Sequence, residues 1–291
     1  ASVEVVDTEL GGPTSDPQRL KRCREMLSAH AIPQRGHIFT AENGRLDATF
    51  PDTKVAIKAS AAFCEAITEH NYHQDRESQL TVRVGLHQGP VITDGQLVTG
   101  RQVAVSGHIT QAARNGEILL SEDALRAAPK LTQALCTAVE SIESDELSKP
   151  LQLYAFSWRN TSRLPTAVLV EDSGEEIALP EQDLISFGRL DKLPNGAAAN
   201  DIVLTHTDDK VQRAISRLHF ELRRVKAGYV LRSISRLGTQ VDDKTVEAGK
   251  EVPVTVGSVI CVAQRLRLVL KGKPEAESQR QAATMTVGVP A

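Results

Sequence analysis

The sequence predicts an α+β domain, then an all-β sandwich, then a polar tail. Helical and strand patterns alternate through the first half, which is the order expected of a layered α/β or α+β domain. From residue 166 onward, short apolar runs with a period of two follow one another, separated by turn residues, as is typical of a sandwich. The polar, proline-containing stretch RNTSRLPT (159–166) lies between them. We place the units at residues 1–160, 161–272 and 273–291, and we predict that the last is disordered because it has no core-forming pattern.

The composition and charge of the chain argue against several classes of function. The chain has 291 residues, 41% of them hydrophobic, and its formal net charge of −3 argues against a dominant nucleic-acid or membrane-surface role. No apolar run reaches the roughly 18 residues of a membrane span, and the acidic opening lacks the basic start of a signal peptide. The cysteines are far apart and form no CxxC pair, so we expect buried thiols in a cytoplasmic protein without metal or cofactor: Cys23, Cys64, Cys136 and Cys261.

Local patterns predict the elements of the first domain. A helix should begin at the N-cap Asp16 with Pro17 in its first turn. A hairpin should turn near Asn43 and Gly44, since Asn-Gly is the strongest short hairpin pattern. Further predicted elements are a strand at 3–6, helices at 16–31, 52–70 and 121–129, a helix within 100–122, a hairpin at 37–50, and strands at 80–91 and 151–158.

Four polar motifs recur along the second domain. They are FGR (187–189), NDIVL (200–204), ISRLHF (215–220) and SRLGTQVDD (235–243). In this order and spacing they resemble the forkhead-associated (FHA) domain, over residues 166–272. Members of that family bind phosphothreonine peptides. The resemblance therefore implies a phosphothreonine-containing partner protein and an upstream Ser/Thr kinase.

The resemblance also implies roles for individual residues. A phosphothreonine needs a guanidinium, short hydroxyl donors and loops that present them. Arg189 and Ser216 should contact the phosphate, with Arg217 as an additional contact to the phosphate or the peptide backbone. The family pattern further implies loop-holding roles for Gly188, His219 and the Gly238-Thr239 pair, with Thr239 counted among the binding residues.

Two positions depart from the family pattern. Leu237 stands where the family has Asn before its Gly-Thr pair, and Asp242 stands where we align the family Asn that grips the peptide backbone. We assign Asp242 to peptide binding on that alignment. The extra loop LDKLPNGAAA (190–199) is expected to shape selectivity.

Three stretches of the first domain resemble the class III nucleotidyl cyclase catalytic domain. They are ATF (48–50), VRVGLHQGPV (82–91) and GEILLSE (116–122), within a resemblance that covers residues 3–157. It implies an α+β fold of the ferredoxin-like class and a homodimer formed through this domain. The histidine of the second stretch, His87, matches a common family residue, so we expect it to be structural rather than a metal ligand.

Most of the catalytic residues of the cyclase family are absent from the aligned positions of this sequence. In the family reaction, the ribose 3′-hydroxyl attacks the α-phosphate and pyrophosphate leaves. This reaction needs two carboxylates for two metal ions, an Arg for the α-phosphate and an Asn for the ribose. Of these positions only the first carboxylate is kept, at Asp7. The second carboxylate position falls at Gly44, the two purine-selecting positions at Thr40 and Leu97, the Asn position at Ala104 and the Arg position at His108.

The leading hypothesis is a non-catalytic signalling adaptor, in which a pseudocyclase domain supplies dimerisation or partner binding. Two alternatives stay open: an active nucleotidyl cyclase controlled by phosphoprotein binding, and a nucleotide-sensing regulator. In the tail, Thr284 and Thr286 each have a valine three residues on, Val287 and Val289. We regard both threonines as candidate phosphorylation sites that could fill the pocket of the same chain or of a dimer mate.

Overall fold

A computed structural model describes residues 1–6, 14–41, 45–93, 97–143, 147 and 149–273. The chain divides into two compact units between Arg159 and Asn160. No helix in the described residues is long and apolar enough to cross a lipid bilayer.

The first unit is built from nine strands and five α-helices among its described residues. In chain order they are β1 (Ser2–Val6), α1 (Pro17–Ala31), β2 (His37–Thr40), β3 (Leu46–Thr49), α2 (Thr53–Tyr72), β4 (Thr81–Leu86), β5 (Ile92–Thr93), β6 (Val98–Thr99), α3 (Arg101–Ala112), β7 (Ile118–Ser121), α4 (Glu122–Ala127), α5 (Lys130–Ala134), β8 (Cys136–Ile142) and β9 (Leu151–Phe156).

Seven of these strands form one sheet in the order β2-β3-β1-β4-β7-β9-β8. The first six elements run β-α-β-β-α-β, and β1 pairs antiparallel with both β3 and β4, which is the ferredoxin-like arrangement. Helix α3 then connects β4 to its parallel neighbour β7. The predicted α+β fold is therefore confirmed.

Side-chain caps begin the helices where the sequence predicts them. The Asp16 carboxylate accepts a hydrogen bond from the Gln18 N–H at 2.8 Å, and the Asp52 carboxylate accepts one from the Val55 N–H at 2.8 Å. These contacts satisfy N–H groups that have no partner within the first helical turn. The strand prediction at 80–91 was too long, because β4 ends at Leu86 and His87 turns into contacts with two other elements. Strand β8 was not predicted.

The sheet carries a hydrophobic core on each face. Leu27 of α1 and Phe63 of α2 pack with sheet residues that include Val84. Helix α3 contributes Val105 and Ile109 to a second cluster. All four cysteines are free thiols; two are buried and two are half-buried. Burial raises the pKa of the half-buried Cys136 to about 11, so this thiol stays protonated at neutral pH.

The second unit is a β-sandwich. Its elements are β10 (Ala167–Val170), β11 (Glu175–Ala178), β12 (Leu184–Gly188), β13 (Ile202–Val203), α6 (Asp209–Ala214), β14 (Phe220–Val225), β15 (Gly228–Ser233), β16 (Thr239–Val241), β17 (Lys244–Val246), β18 (Glu251–Val254), β19 (Val259–Val262) and β20 (Leu266–Lys271). One sheet has the order β11-β10-β20-β19-β16-β17 and the other β13-β12-β14-β15-β18.

The two sheets enclose one apolar core, as alternating strands predict. At its centre the rings of Phe187 and Phe220 stack with their centroids 4.4 Å apart, and both side chains are fully buried. Phe187 is the residue before Gly188, which ends β12, and Phe220 is the last residue of ISRLHF and begins β14. The core therefore anchors two of the loops that carry the polar motifs.

Candidate functional site

Backbone hydrogen bonds join the first two motif loops. Arg189 follows β12 directly, and its N–H donates to the carbonyl oxygen of Ser216 at 3.0 Å. The next residue, Leu190, donates to the Arg217 carbonyl oxygen at 3.3 Å. Arg189 and Ser216, which the sequence predicts to contact a phosphate, therefore lie on adjacent loops whose backbones are hydrogen-bonded to each other.

Gly188 permits this close approach. A Cβ atom at that position would lie 2.1 Å from the carbonyl oxygen of Arg217, which no side chain tolerates. Asn200, from the NDIVL motif, ties the same loops from behind: its buried amide nitrogen donates to the carbonyl oxygens of Leu190 and Arg217, each at 2.7 Å. The sequence analysis placed Asn200 in a motif but did not predict that it links these two loops.

The third loop joins the second through two serines. The Oγ atoms of Ser216 and Ser235 are 2.8 Å apart, and the Ser235 oxygen also accepts the N–H of Leu237 at 3.1 Å. Ser235 is buried, whereas Ser216 is half-buried. The hydroxyl of Ser216 is thus held in place from inside the protein while the residue keeps access to the surface.

His219 connects all three loops. Its Nδ1 accepts the Ser216 N–H at 3.0 Å, its backbone N–H donates to Phe187 at 2.7 Å, and its carbonyl oxygen accepts the N–H groups of Ile234 and Ser235. Complete burial lowers the pKa of His219, and the backbone of Gly238 opposes part of this shift. The neutral ring, with its proton on Nε2, is the form that can accept at Nδ1.

The Gly238-Thr239 pair shapes the start of β16. Gly238 has φ of +81°, in the left-handed region that favours glycine. Thr239 is fully buried, and its Oγ1 lies 3.0 Å from the Ser233 Oγ. Thr239 is therefore a brace beneath the loop and has no surface with which to touch a ligand, which corrects its inclusion among the binding residues.

The assignment of Asp242 to peptide binding stays a prediction, and the structure shows a second role for this exposed carboxylate. Its carboxylate accepts the Val259 N–H at 2.8 Å and the Ser258 hydroxyl at 3.2 Å, so it fastens the β16–β17 turn to the start of β19. Asp242 and Asp243 have φ of 48° and 64°, as a tight hairpin turn requires.

The loop arginines are exposed. The side chains of Arg189 and Arg217 have no ion pair or hydrogen bond with any described residue, and the same holds for Arg236 on the third loop. Ser235 and Arg236 were not singled out from the sequence. One pattern could have found them: the tetrapeptide Ile-Ser-Arg-Leu occurs twice, at 215–218 and at 234–237.

In the first unit the cyclase positions are scattered. Thr40 is exposed at the end of β2 and its hydroxyl accepts from Arg24 at 3.0 Å. Leu97 is 55% exposed just before β6. Ala104 and His108 are half-buried one turn apart on α3. Asp7 and Gly44 lie outside the described residues, as do Thr284 and Thr286.

One buried carboxylate was missed by the sequence analysis. Asp47 in β3 forms a two-pronged ion pair with Arg45, at 2.9 Å to Nε and 3.0 Å to Nη2, and it also accepts from the Ser2 hydroxyl. Both of its oxygens are thus occupied by protein donors. Among the residues that the structure describes, no three His, Cys, Asp or Glu side chains cluster as metal ligands would.

His87 is held by two side chains. Its Nδ1 lies 2.8 Å from the Ser121 Oγ, and its Nε2 lies 2.7 Å from Oε1 of Gln102. Burial lowers the pKa of His87, and the hydrogen bond to Gln102 opposes the shift. With both ring nitrogens engaged, His87 links the end of β4 to α3 and β7.

The motif loops lie within a match to a known domain model. The FHA domain model matches residues 185–263. A solved structure from an analysis of phosphothreonine-dependent FHA domain interactions shares 21% identity over 37% of this chain and 96% of its own, with a TM-score of 0.29. A search of curated proteins finds no significant match.

The first unit is similar to solved nucleotidyl cyclases. An adenylate/guanylate cyclase/hydrolase from Silicibacter pomeroyi shares 16% identity over 53% of this chain and 94% of its own, with a TM-score of 0.44. An adenylate cyclase from Trypanosoma brucei, in its monomeric state, shares 11% identity over 62% of this chain and 93% of its own, also with a TM-score of 0.44.

Proposed function

Because residues 185–263 form an FHA domain, we propose that this protein is a signalling adaptor that binds phosphothreonine-containing proteins. The observation that carries the proposal is the pairing of Arg189 and Ser216. Their loops are joined by a 3.0 Å backbone hydrogen bond, the Ser216 hydroxyl is fixed by Ser235, and the Arg189 guanidinium is exposed and uncommitted among the described residues.

This arrangement suits a phosphate group. A phosphothreonine carries a charge of about −1.5 to −2 at neutral pH and offers three acceptor oxygens. The Arg189 guanidinium can donate two parallel hydrogen bonds to them, and the Ser216 hydroxyl can donate a third. The Arg189 backbone and the Ser216 hydroxyl are fixed before the ligand arrives, so the ordering needed at these two residues is mainly that of the Arg189 side chain. The phosphate itself requires an upstream Ser/Thr kinase.

Binding of the full chain to a phosphothreonine peptide library tests the proposal. We expect selected peptides to bind the native protein, and Arg189→Ala and Ser216→Ala each to weaken binding at least about tenfold, since a charge-assisted hydrogen bond contributes roughly 1.5–3 kcal/mol. Arg163→Ala is the matched control, because Arg163 is an exposed arginine outside the motif loops. Equal binding of unphosphorylated peptides, or equal binding by Arg189→Ala, contradicts the proposal.

We further propose that the first domain is a pseudocyclase that serves dimerisation or partner binding in the cytoplasm. Support comes from the described positions Thr40, Leu97, Ala104 and His108, none of which offers a lysine, amide or guanidinium to a nucleotide. Asp47 does not replace a metal carboxylate, since Arg45 occupies both of its oxygens. These residues do not fit a two-metal site, and loss of one transition-state donor alone costs about a hundredfold in rate.

Two measurements test this second proposal. Purified protein with ATP or GTP and manganese should form no cyclic nucleotide above background. Cyclic nucleotide that disappears in Asp7→Ala contradicts the pseudocyclase and favours an active enzyme. Light scattering after gel filtration should give the mass of a dimer; a monomer at all concentrations rules out the homodimer.

A further inference from the structure

We propose that Arg217 and Arg236 form a second anion-binding subsite beside the phosphothreonine site. The preferred ligand is then a phosphothreonine peptide that carries another anionic group close by, either a second phosphate or a carboxylate. This inference rests on the proposed function and specifies its ligand class.

The two arginines are placed together by the serine pair. Arg217 follows Ser216 and Arg236 follows Ser235, and the hydroxyl oxygens of these serines are 2.8 Å apart. Since consecutive Cα atoms are about 3.8 Å apart, the two arginine Cα atoms lie within roughly 15 Å of each other. The loops are also fixed: the Arg217 carbonyl oxygen accepts from Asn200, and the N–H of Leu237 donates to Ser235.

The charge on these loops is not balanced within the protein. Arg189, Arg217 and Arg236 are exposed and have no carboxylate partner in the described part of the chain. The strand arginines of the same domain do have partners: Arg223 with Glu221, Arg224 with Asp183, Arg232 with Glu251 and Arg267 with Glu171. Of the acidic residues in the same domain, Asp201 accepts from Ser186, Asp208 caps helix α6, and Asp191 pairs with none of the three arginines.

Three guanidinium groups exceed what one phosphate neutralises. A phosphothreonine carries a charge of about −1.5 to −2, so three guanidinium groups leave about one positive charge beside it. At physiological ionic strength exposed charges interact over about 8 Å, so the second anion must lie on a peptide residue close to the phosphothreonine. Guanidinium pairs well with either phosphate or carboxylate through two parallel hydrogen bonds.

Matched peptides test the subsite. One series has a single phosphothreonine flanked by neutral residues. The other series adds a glutamate or a second phosphothreonine at each of the three positions on either side. Fluorescence anisotropy with the full chain measures the affinity of the native protein, Arg236→Gln, Arg217→Gln and the control Arg163→Gln. Melting curves by circular dichroism check that Arg236→Gln, an exposed substitution, leaves the fold intact.

At one or more of the tested peptide positions, we expect the second phosphate to tighten binding by about tenfold and glutamate to tighten it by less. The gain should fall below about twofold in Arg236→Gln and persist in Arg163→Gln, while the singly phosphorylated peptide binds Arg236→Gln nearly as well as the native protein. No gain at any tested position, or a full gain in Arg236→Gln, overturns the subsite and leaves phosphothreonine binding standing. Failure of every phosphothreonine peptide to bind overturns the proposed function itself.

Discussion

The hydroxyl oxygens of Ser216 and Ser235 lie 2.8 Å apart, and this contact joins two loops that are 19 residues apart in the chain. Ser216 faces the surface and Ser235 is buried. The two serines therefore have different roles: Ser216 is available to a ligand, and Ser235 holds Ser216 in position.

Replacing the buried serine tests this division. Ser235→Ala removes the acceptor for the Leu237 N–H and the partner of the Ser216 hydroxyl, at a cost of about 1 kcal/mol for a neutral hydrogen bond. We expect calorimetry to show phosphopeptide affinity about three- to tenfold weaker. Ser173→Ala, at an exposed serine in the β10–β11 turn, should leave the affinity unchanged. Unchanged affinity in Ser235→Ala means that the contact plays no part in binding.

Gly188→Ala should separate the first two loops. The added Cβ meets the Arg217 carbonyl oxygen at 2.1 Å, and such overpacking costs about 3 kcal/mol in the free energy of unfolding. Gly174→Ala is the control: its φ is +70° but nothing lies within 4 Å, so only the backbone cost of about 1 kcal/mol applies. Urea unfolding should show the larger loss at Gly188, and equal losses contradict the close approach.

The pKa of His219 should lie below the ordinary value of 6.5, because burial disfavours the charged ring. The unfolded chain then binds a proton more readily than the folded one. This contribution to stability is complete above pH 6.5 and is lost as the pH falls from there towards the folded-state pKa. An NMR titration checks this: the imidazole signal missing in His219→Gln should titrate below 6.5, and a value at or above 6.5 contradicts the prediction.

Leu237→Asn should strengthen peptide binding. The FHA family pattern has Asn at this position, and an exposed amide there can donate a hydrogen bond to a bound peptide, whereas Leu237 is 58% exposed and offers no hydrogen bond from its side chain. We expect a gain of about threefold to tenfold in affinity for a phosphothreonine peptide, the equivalent of one added hydrogen bond. The melting temperature should not change. Weaker binding by the asparagine variant indicates that Leu237 itself contacts an apolar peptide residue.

Local features could be predicted from the sequence. Asp16 and Asp52 cap their helices because a carboxylate two or three residues before an unpaired N–H is a contact within one turn. Strand β4, by contrast, ended before the predicted residue 91, since the departure of His87 towards Ser121 depends on a residue 34 positions away. Strand β8 was missed for a similar reason, because it forms the edge of the sheet beside β9.

The sequence by itself determined the α+β and sandwich fold classes and placed Arg189, Ser216, Arg217 and His219 on motif loops, because periodicity, caps and motif spacing are local properties of the chain. Only the tertiary structure decided which polar side chains face a ligand and which brace the loops. Pairing of Val241 with Ile260 brings Asp242 onto the N–H of Val259, and antiparallel pairing of β14 with β15 brings Ser235 to Ser216. Both outcomes depend on strand register between segments distant in sequence, and a single residue of register moves a side chain to the opposite face.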